Sequence, residues 1–219
     1  MSSRAQAALF AVVVAVAVFA PASARATNRI YWGNLESDVI SFTEVSGSGV
    51  GADIDTTGAT VQHPMGLALD PAHNRIYWAN WGSDGGKTIS YANLDGSGHG
   101  GDLPINPTYV TGPHGLAIDP VAGRLYWPNS DQGTIGFANL DGSGAGFLPT
   151  GVATIDHPRG LAIDPATRRI YWANFGNAFG TTISYANLNG TGGADLMNTT
   201  GATVEGPEGG ALDPPNNRS

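Results

Sequence analysis

The feature that most limits what this chain can fold into is a repeat. Tyr-Trp pairs stand at Tyr31-Trp32, Tyr77-Trp78, Tyr126-Trp127 and Tyr171-Trp172, at intervals of 46, 49 and 45 residues. Prolines at Pro64, Pro113, Pro158 and Pro207 recur at intervals of 49, 45 and 49. Each unit reads P-x-G-L-A-[LI]-D-P, a short turn, R-[IL]-Y-W-x-N, a polar or glycine-bearing loop, and then I-[SG]-[FY]-A-N-L-[DN]-G. The last copy of the first element decays to PEGGALDP, and the first copy of the last element decays to ISFTEVSG. A fixed period of this size marks supersecondary units that bury their apolar faces only against one another.

Each element of the unit reads as a strand. GLALD and GLAID are short apolar runs closed by Asp-Pro, which suits a strand covered on both faces. RIYWAN and RLYWPN are aromatic and β-branched. Asp95-Gly96, Asp141-Gly142 and Asn189-Gly190 end the third strand with turn dipeptides. A more ragged fourth strand covers GADI, GDLPI, AGFLP and GADLM. With 32 Gly, and with aromatic residues recurring in register, the expectation is an all-β chain. It takes the form of a β-propeller of about four blades, each a four-stranded antiparallel sheet. No long stretch carries the 3.6-residue apolar period of a helical solenoid.

The order P-x-G-L-A-x-D, Y-W, L-D-G resembles the YWTD repeat, the class B repeat of low-density lipoprotein receptors, across nearly all of residues 28–218. The chain has the look of a bacterial-type secreted, divergent member of that family. The resemblance implies a propeller, and known YWTD propellers have six blades. One departure is consistent. The family's final Asp is Asn here, at Asn34, Asn80, Asn129 and Asn174. An ionised Asp only accepts hydrogen bonds, whereas Asn also donates, so the polar contacts between blades are expected to be rewired. The cysteine-rich modules that flank such propellers in receptors are absent from this sequence, so an endocytic receptor role does not carry over.

The first Tyr-Trp lacks a preceding P-x-G strand, and the last P-x-G strand lacks a following Tyr-Trp. Residues 207–213 are therefore expected to pair with the blade begun at Ile30, the Velcro closure that hides a propeller's edge. The alternative is an incomplete part of a larger, six-bladed ring, or a ring completed by oligomerisation.

Residues 1–26 read as a secretory signal peptide. Arg4 precedes an uncharged run, Pro21 closes it, and Ala22-Ser23-Ala24 and Ala24-Arg25-Ala26 supply small-residue cleavage sites. The alternative is a retained anchor helix. Residues 27–219 then form the propeller domain, placed outside the cell or in the periplasm or cell envelope. A net charge of -8 disfavours nucleic acid and anionic lipid as partners. The absence of cysteine excludes disulfides and thiolate chemistry.

Positions filled alike in every copy read as blade architecture. Positions that vary inside the fixed frame are the site candidates. The variable residue of P-x-G is Met65, His114, Arg159 and Glu208, and in a propeller these four ring one mouth of the central channel. The competing reading has Arg159 and Glu208 simply pairing. His63 and His157, just before their prolines, read as turn residues. Asp53 and Asp55 have Ca²⁺-like spacing without the rest of a binding loop. The DGSG turns are hairpin chemistry and lack the context of a nucleophile elbow. Asn189, Asn198 and Asn217 begin glycosylation sequons. The loop WGSDGGK differs in each copy.

These features point to a secreted, non-catalytic binding or scaffold protein that takes an extracellular protein, peptide or glycan at a channel mouth or propeller face, without a cofactor. The alternative is a metal-dependent enzyme similar to calcium-dependent lactonases or streptogramin lyases, using Ca²⁺ or another divalent metal. In that case His114 is the base candidate and Glu208 the one carboxylate of the ring.

Overall fold

The computed structural model describes residues 28–46, 49–82, 86–176, 180, 182–196 and 202–213. The signal-peptide reading, the centre of the WGSDGGK loop, the end of GADLM and the sequons at Asn198 and Asn217 lie outside these residues. The described residues form four antiparallel sheets. The first holds β1 (Arg29–Asn34), β2 (Val39–Glu44) and β3 (Ala52–Asp53). The second holds β4 (Pro64–Asp70), β5 (Arg75–Asn80), β6 (Thr88–Asn93) and β7 (Gly101–Asp102). The third holds β8 (Ala117–Asp119), β9 (Arg124–Asn129), β10 (Thr134–Asn139) and β11 (Gly146–Phe147). The fourth holds β12 (Pro158–Asp164), β13 (Arg169–Asn174), β14 (Thr182–Asn187) and β15 (Gly193–Asp195). Strands follow chain order in every sheet, so each repeat is one blade. No helix among the described residues is long and apolar enough to cross a membrane.

The Tyr-Trp pair is what stacks the blades. Neighbouring residues of a strand face opposite sides of the sheet, so Tyr meets the following blade while Trp meets the preceding one. Three cores result. Tyr31 shares one with Trp78, Tyr77 shares one with Trp127, and Tyr126 shares one with Trp172. Trp78, Trp127 and Trp172 are completely or almost completely buried. At the two ends of the series, Trp32 and Tyr171 remain half-buried. Beneath each pair, an arginine at the strand start covers a ring on the next strand: Arg29 over Phe42, Arg75 over Tyr91, Arg124 over Phe137 and Arg169 over Tyr185.

The glycine of P-x-G is fixed by the crowding of inner strands. A Cβ on Gly66 would lie 2.5 Å from the His114 carbonyl oxygen, and one on Gly115 would lie 2.5 Å from that of Arg159. One on Gly160 would meet Gly209 and the Glu208 carbonyl. No side chain fits where the backbones of successive blades approach this closely.

A polar latch runs through blades two and four. In blade two the Asn80 amide donates to Thr88 Oγ1 (2.9 Å) and Ser90 Oγ (2.8 Å), while its oxygen accepts from the Gln62 backbone N–H (2.9 Å). The Ser90 hydroxyl donates in turn to Asp102 Oδ1 (2.5 Å). Asp102 also accepts the Thr60 backbone N–H (2.8 Å) and hydroxyl (2.7 Å), and the Thr60 carbonyl takes the Trp78 indole N–H (2.8 Å). Blade four repeats the set with Asn174, Ser184, Asp195, Thr154 and Trp172. In blade three Gly136 replaces the serine, because the Trp127 indole lies where its Cβ would be, and Asn129 donates instead to the Tyr109 carbonyl (3.1 Å). The Asn in place of the family's Asp is thereby explained. Ser90 has one hydroxyl hydrogen, already donated to Asp102, so its oxygen needs a donor from residue 80.

Most expected strands are present within a residue or two, including the short outer strand of each blade. The expected closure is not. Among the described residues β1 pairs only with β2, and residues 207–213 form no strand. That segment lies against β12 instead, at Gly160. The physical reason is crowding order: inner segments pack in succession, and 207–210 takes the place after β12.

Replacing Asn80 by Asp removes two donated hydrogen bonds and buries a second acceptor beside Ser90. The expected cost is about 2–4 kcal/mol in urea unfolding. An Asn80→Asp chain as stable as the parent would refute the latch.

Candidate functional site

One end of the blades gathers the starts of the inner strands and the loops that follow the Tyr-Trp strands. The residue before each proline, His63, Gly112, His157 or Gly206, has a left-handed backbone there, with φ of 46°, 57°, 45° and 52°. This turn aims the next residues inward. The carbonyls of His63, Gly112 and His157 accept the N–H of Trp81, Ser130 and Phe175 respectively, which binds the two loops of a blade together. The sequence reading of both histidines as turn residues agrees with this placement.

His114, Arg159 and Glu208 come together on successive inner segments. The backbone links them first, through the Gly115 N–H donated to the Arg159 carbonyl at 2.9 Å. Arg159 Nη1 donates to Glu208 Oε1, and the two side chains remain 23% and 38% exposed. The Arg159 guanidinium also lies 3.5 Å over the centre of the Phe175 ring. Its Nε, although buried, has no hydrogen-bond partner among the described residues. His114 is buried, with its ring 5.6 Å from that of Trp81. Burial, and secondarily the charge of Arg159, lowers its pKa from 6.5 to about 4. Met65 takes the equivalent position on β4, half-buried, next to the segment that carries His114.

Trp81 and Phe175 were missed as individual residues. They occupy one repeat position, directly after the Tyr-Trp-x-Asn strand, where blade three has Ser130 and blade one Leu35. Variation at that position was the available signal. Trp81 lies between the rings of His63 and His114 and is still 37% exposed. His63 Nδ1 is a second buried nitrogen without a partner among the described residues. The two unsatisfied nitrogens lie in the interior, and what this end of the blades exposes is the Trp81 indole and part of the Arg159–Glu208 pair.

Other candidates from the sequence are structural. Asp53 accepts from Ser41 Oγ (2.6 Å), and Asp55 from the Thr57 N–H (2.9 Å). Asp95, Asp141 and Asn189 cap their own turns by accepting the N–H of the residue two positions on. No three His, Asp or Glu side chains gather for a metal among the described residues. At the opposite end of the blades a shallow cleft of about 350 Å³ lies between Tyr126, Thr167, Arg168 and Leu188. Its Arg168 is engaged with Asp119, Nη1 to Oδ1 at 2.6 Å, and so locks blade four to blade three.

Four blades built from one repeat, stacked by Tyr-Trp cores, define a β-propeller-type protein. Residues 123–165 match the model of the low-density lipoprotein receptor repeat class B family. The chain is similar to a structure titled as a nidogen/laminin complex, at 22% identity over 84% of this chain and 64% of that one, with a TM-score of 0.67. It is also similar to a catalytically inactive virginiamycin B lyase from Staphylococcus aureus with quinupristin (13% identity, 84% and 56% covered, TM-score 0.60). A streptogramin B lyase structure is comparable (16% identity, 91% and 58% covered, TM-score 0.59). At these identities the likeness establishes the fold. The chain spans 56% to 64% of the lengths of these three structures. Residues 123–165 thus match a class B, YWTD-type repeat, and the chain as a whole has a β-propeller-type fold.

His114 makes stability pH-dependent. Its folded pKa lies below its unfolded value, so its contribution is complete above pH 6.5 and is lost as pH falls toward 4. At about pH 4.5 the loss is about 2.5 kcal/mol. Urea unfolding at about pH 7 and 4.5 should show the parent losing that much more than His114→Gln, and equal losses would contradict it.

Proposed function

We propose that this protein is an exported binding module, working without catalysis or a resident cofactor. It takes an extracellular protein or peptide on the face formed by Trp81, His114, Arg159, Phe175 and Glu208. The observation that carries this reading is Arg159. Its guanidinium is stacked on Phe175 and held by Glu208 through one nitrogen, while the side chain stays partly exposed. Preorganised arginine and half-exposed tryptophan are the side chains that dominate protein-binding surfaces. A planar guanidinium fixed by a ring and a carboxylate loses little entropy when it accepts a partner carbonyl or carboxylate. A similar fold occurs in the nidogen/laminin complex, which supports the reading without naming a partner here. His114, buried and neutral at physiological pH, packs against Trp81 and so supports the same face from the interior.

The test is selection of peptides on the full chain from a displayed library, followed by titration. Arg159→Ala and Trp81→Ala should each weaken the selected peptides by about tenfold or more, with unfolding midpoints close to the parent's. Peptides that bind both variants as well as the parent would place the binding face elsewhere.

A further inference from the structure

Blade one lacks two things that the other three blades have and a third that blades two and four share. Strands β5, β9 and β13 each pair with an inner strand, but β1 has none among the described residues. The indoles of Trp78, Trp127 and Trp172 donate to the carbonyls of Thr60, Tyr109 and Thr154, whereas Trp32 turns to its own Asn34 (3.2 Å). Asp102 and Asp195 each hold a threonine as well as a serine, whereas Asp53 holds Ser41 alone among the described residues.

The missing pieces exist at the other end of the sequence. TTGATVEGP at 199–207 repeats TTGATVQHP at 56–64, and PEGGALDP at 207–214 repeats PMGLALDP at 64–71. Thr203 is thus the counterpart of Thr60, and it is exposed, as are residues 209–213. The segment is seated on blade four as a new blade would be. The Gly206 N–H donates to the Gly180 carbonyl (2.8 Å), as Gly112 does to Gly86 (3.1 Å), and Gly209 packs on Gly160. The blades follow one another from β1 through β4 and β8 to β12, so the open blade and its missing opening stand at opposite ends of the series.

We propose that residues 202–213 of one copy complete the β1–β3 blade of a second copy, giving head-to-tail association. The β4–β5 register sets the pairing: Gly210 opposite Trp32, Ala211 opposite Tyr31, Leu212 opposite Ile30 and Asp213 opposite Arg29. The Thr203 carbonyl accepts the Trp32 indole N–H, and its N–H and hydroxyl bind Asp53. The half-buried Tyr171 of the first copy covers Trp32 of the second, as Tyr126 covers Trp172 within the chain. The contact is heterologous, so assemblies close into rings or extend as filaments.

The absence of cysteine makes the test clean. Ile30→Cys and Leu212→Cys are made as separate full chains, mass-tagged and mixed under mild oxidation. A disulfide joining the two different chains is expected. When both changes are in one chain, a link within a single chain would overturn the proposal in favour of self-closure, and no link in either experiment would also overturn it. The unaltered chain should associate in sedimentation over roughly 1–100 µM, and Asp53→Ala or Thr203→Ala should weaken that about tenfold. A monomer throughout, or association indifferent to both changes, would refute it.

Discussion

The structure depends on how a thin sheet with half-polar edges is attached to its neighbour. In blades two and four the attachment is one continuous hydrogen-bonded chain, from the Trp indole through a loop threonine, an outer-strand aspartate and a third-strand serine to the asparagine of the Tyr-Trp strand. Every member is satisfied, which is the condition under which a buried polar network stabilises. The chain ties the loop entering a blade to the outermost strand of that same blade. It therefore fixes where the inner strand of that blade starts, and with it the positions of Met65 in blade two and Arg159 in blade four.

Much of this was legible in the sequence because repeats can be compared with one another. Strand positions, the short outer strands and the turn role of Asp95, Asp141 and Asn189 followed from register and turn chemistry. The rewiring implied by Asn at 34, 80, 129 and 174 was legible as a change of donor capacity. Its partners were not. Thr60 and Asp102 lie 42 residues apart, and only the fold shows that they meet. The closure failed because sequence phase states which segments are complementary, but not whether curvature brings them together. The variable residue of P-x-G identified the right inner segments. It missed Trp81 and Phe175, whose relevance comes from the next strand over, as ring partners of His114 and Arg159.

The face at the inner-strand starts shows how a repeated scaffold acquires an individual surface. Backbone crowding fixes glycine at one position, and a left-handed turn fixes the residue before proline. The residue between is free to differ, so a Met, a His, an Arg and a Glu stand at equivalent points. The anticipated Arg159–Glu208 pairing is present. It holds the guanidinium in place over Phe175 and leaves both side chains partly exposed, so pairing and recognition are compatible roles for the same two residues.

The central claim is that the latch acts as one connected unit. A double-mutant cycle on Asn80→Ala and Ser90→Ala, read by urea unfolding of the full chain, tests it most directly. Both residues are almost fully buried, 2.8 Å apart, and should show a coupling of about 1–3 kcal/mol. Strictly additive losses would show that the two side chains stabilise the blade independently, and the latch would not be the constraint on which the fold rests.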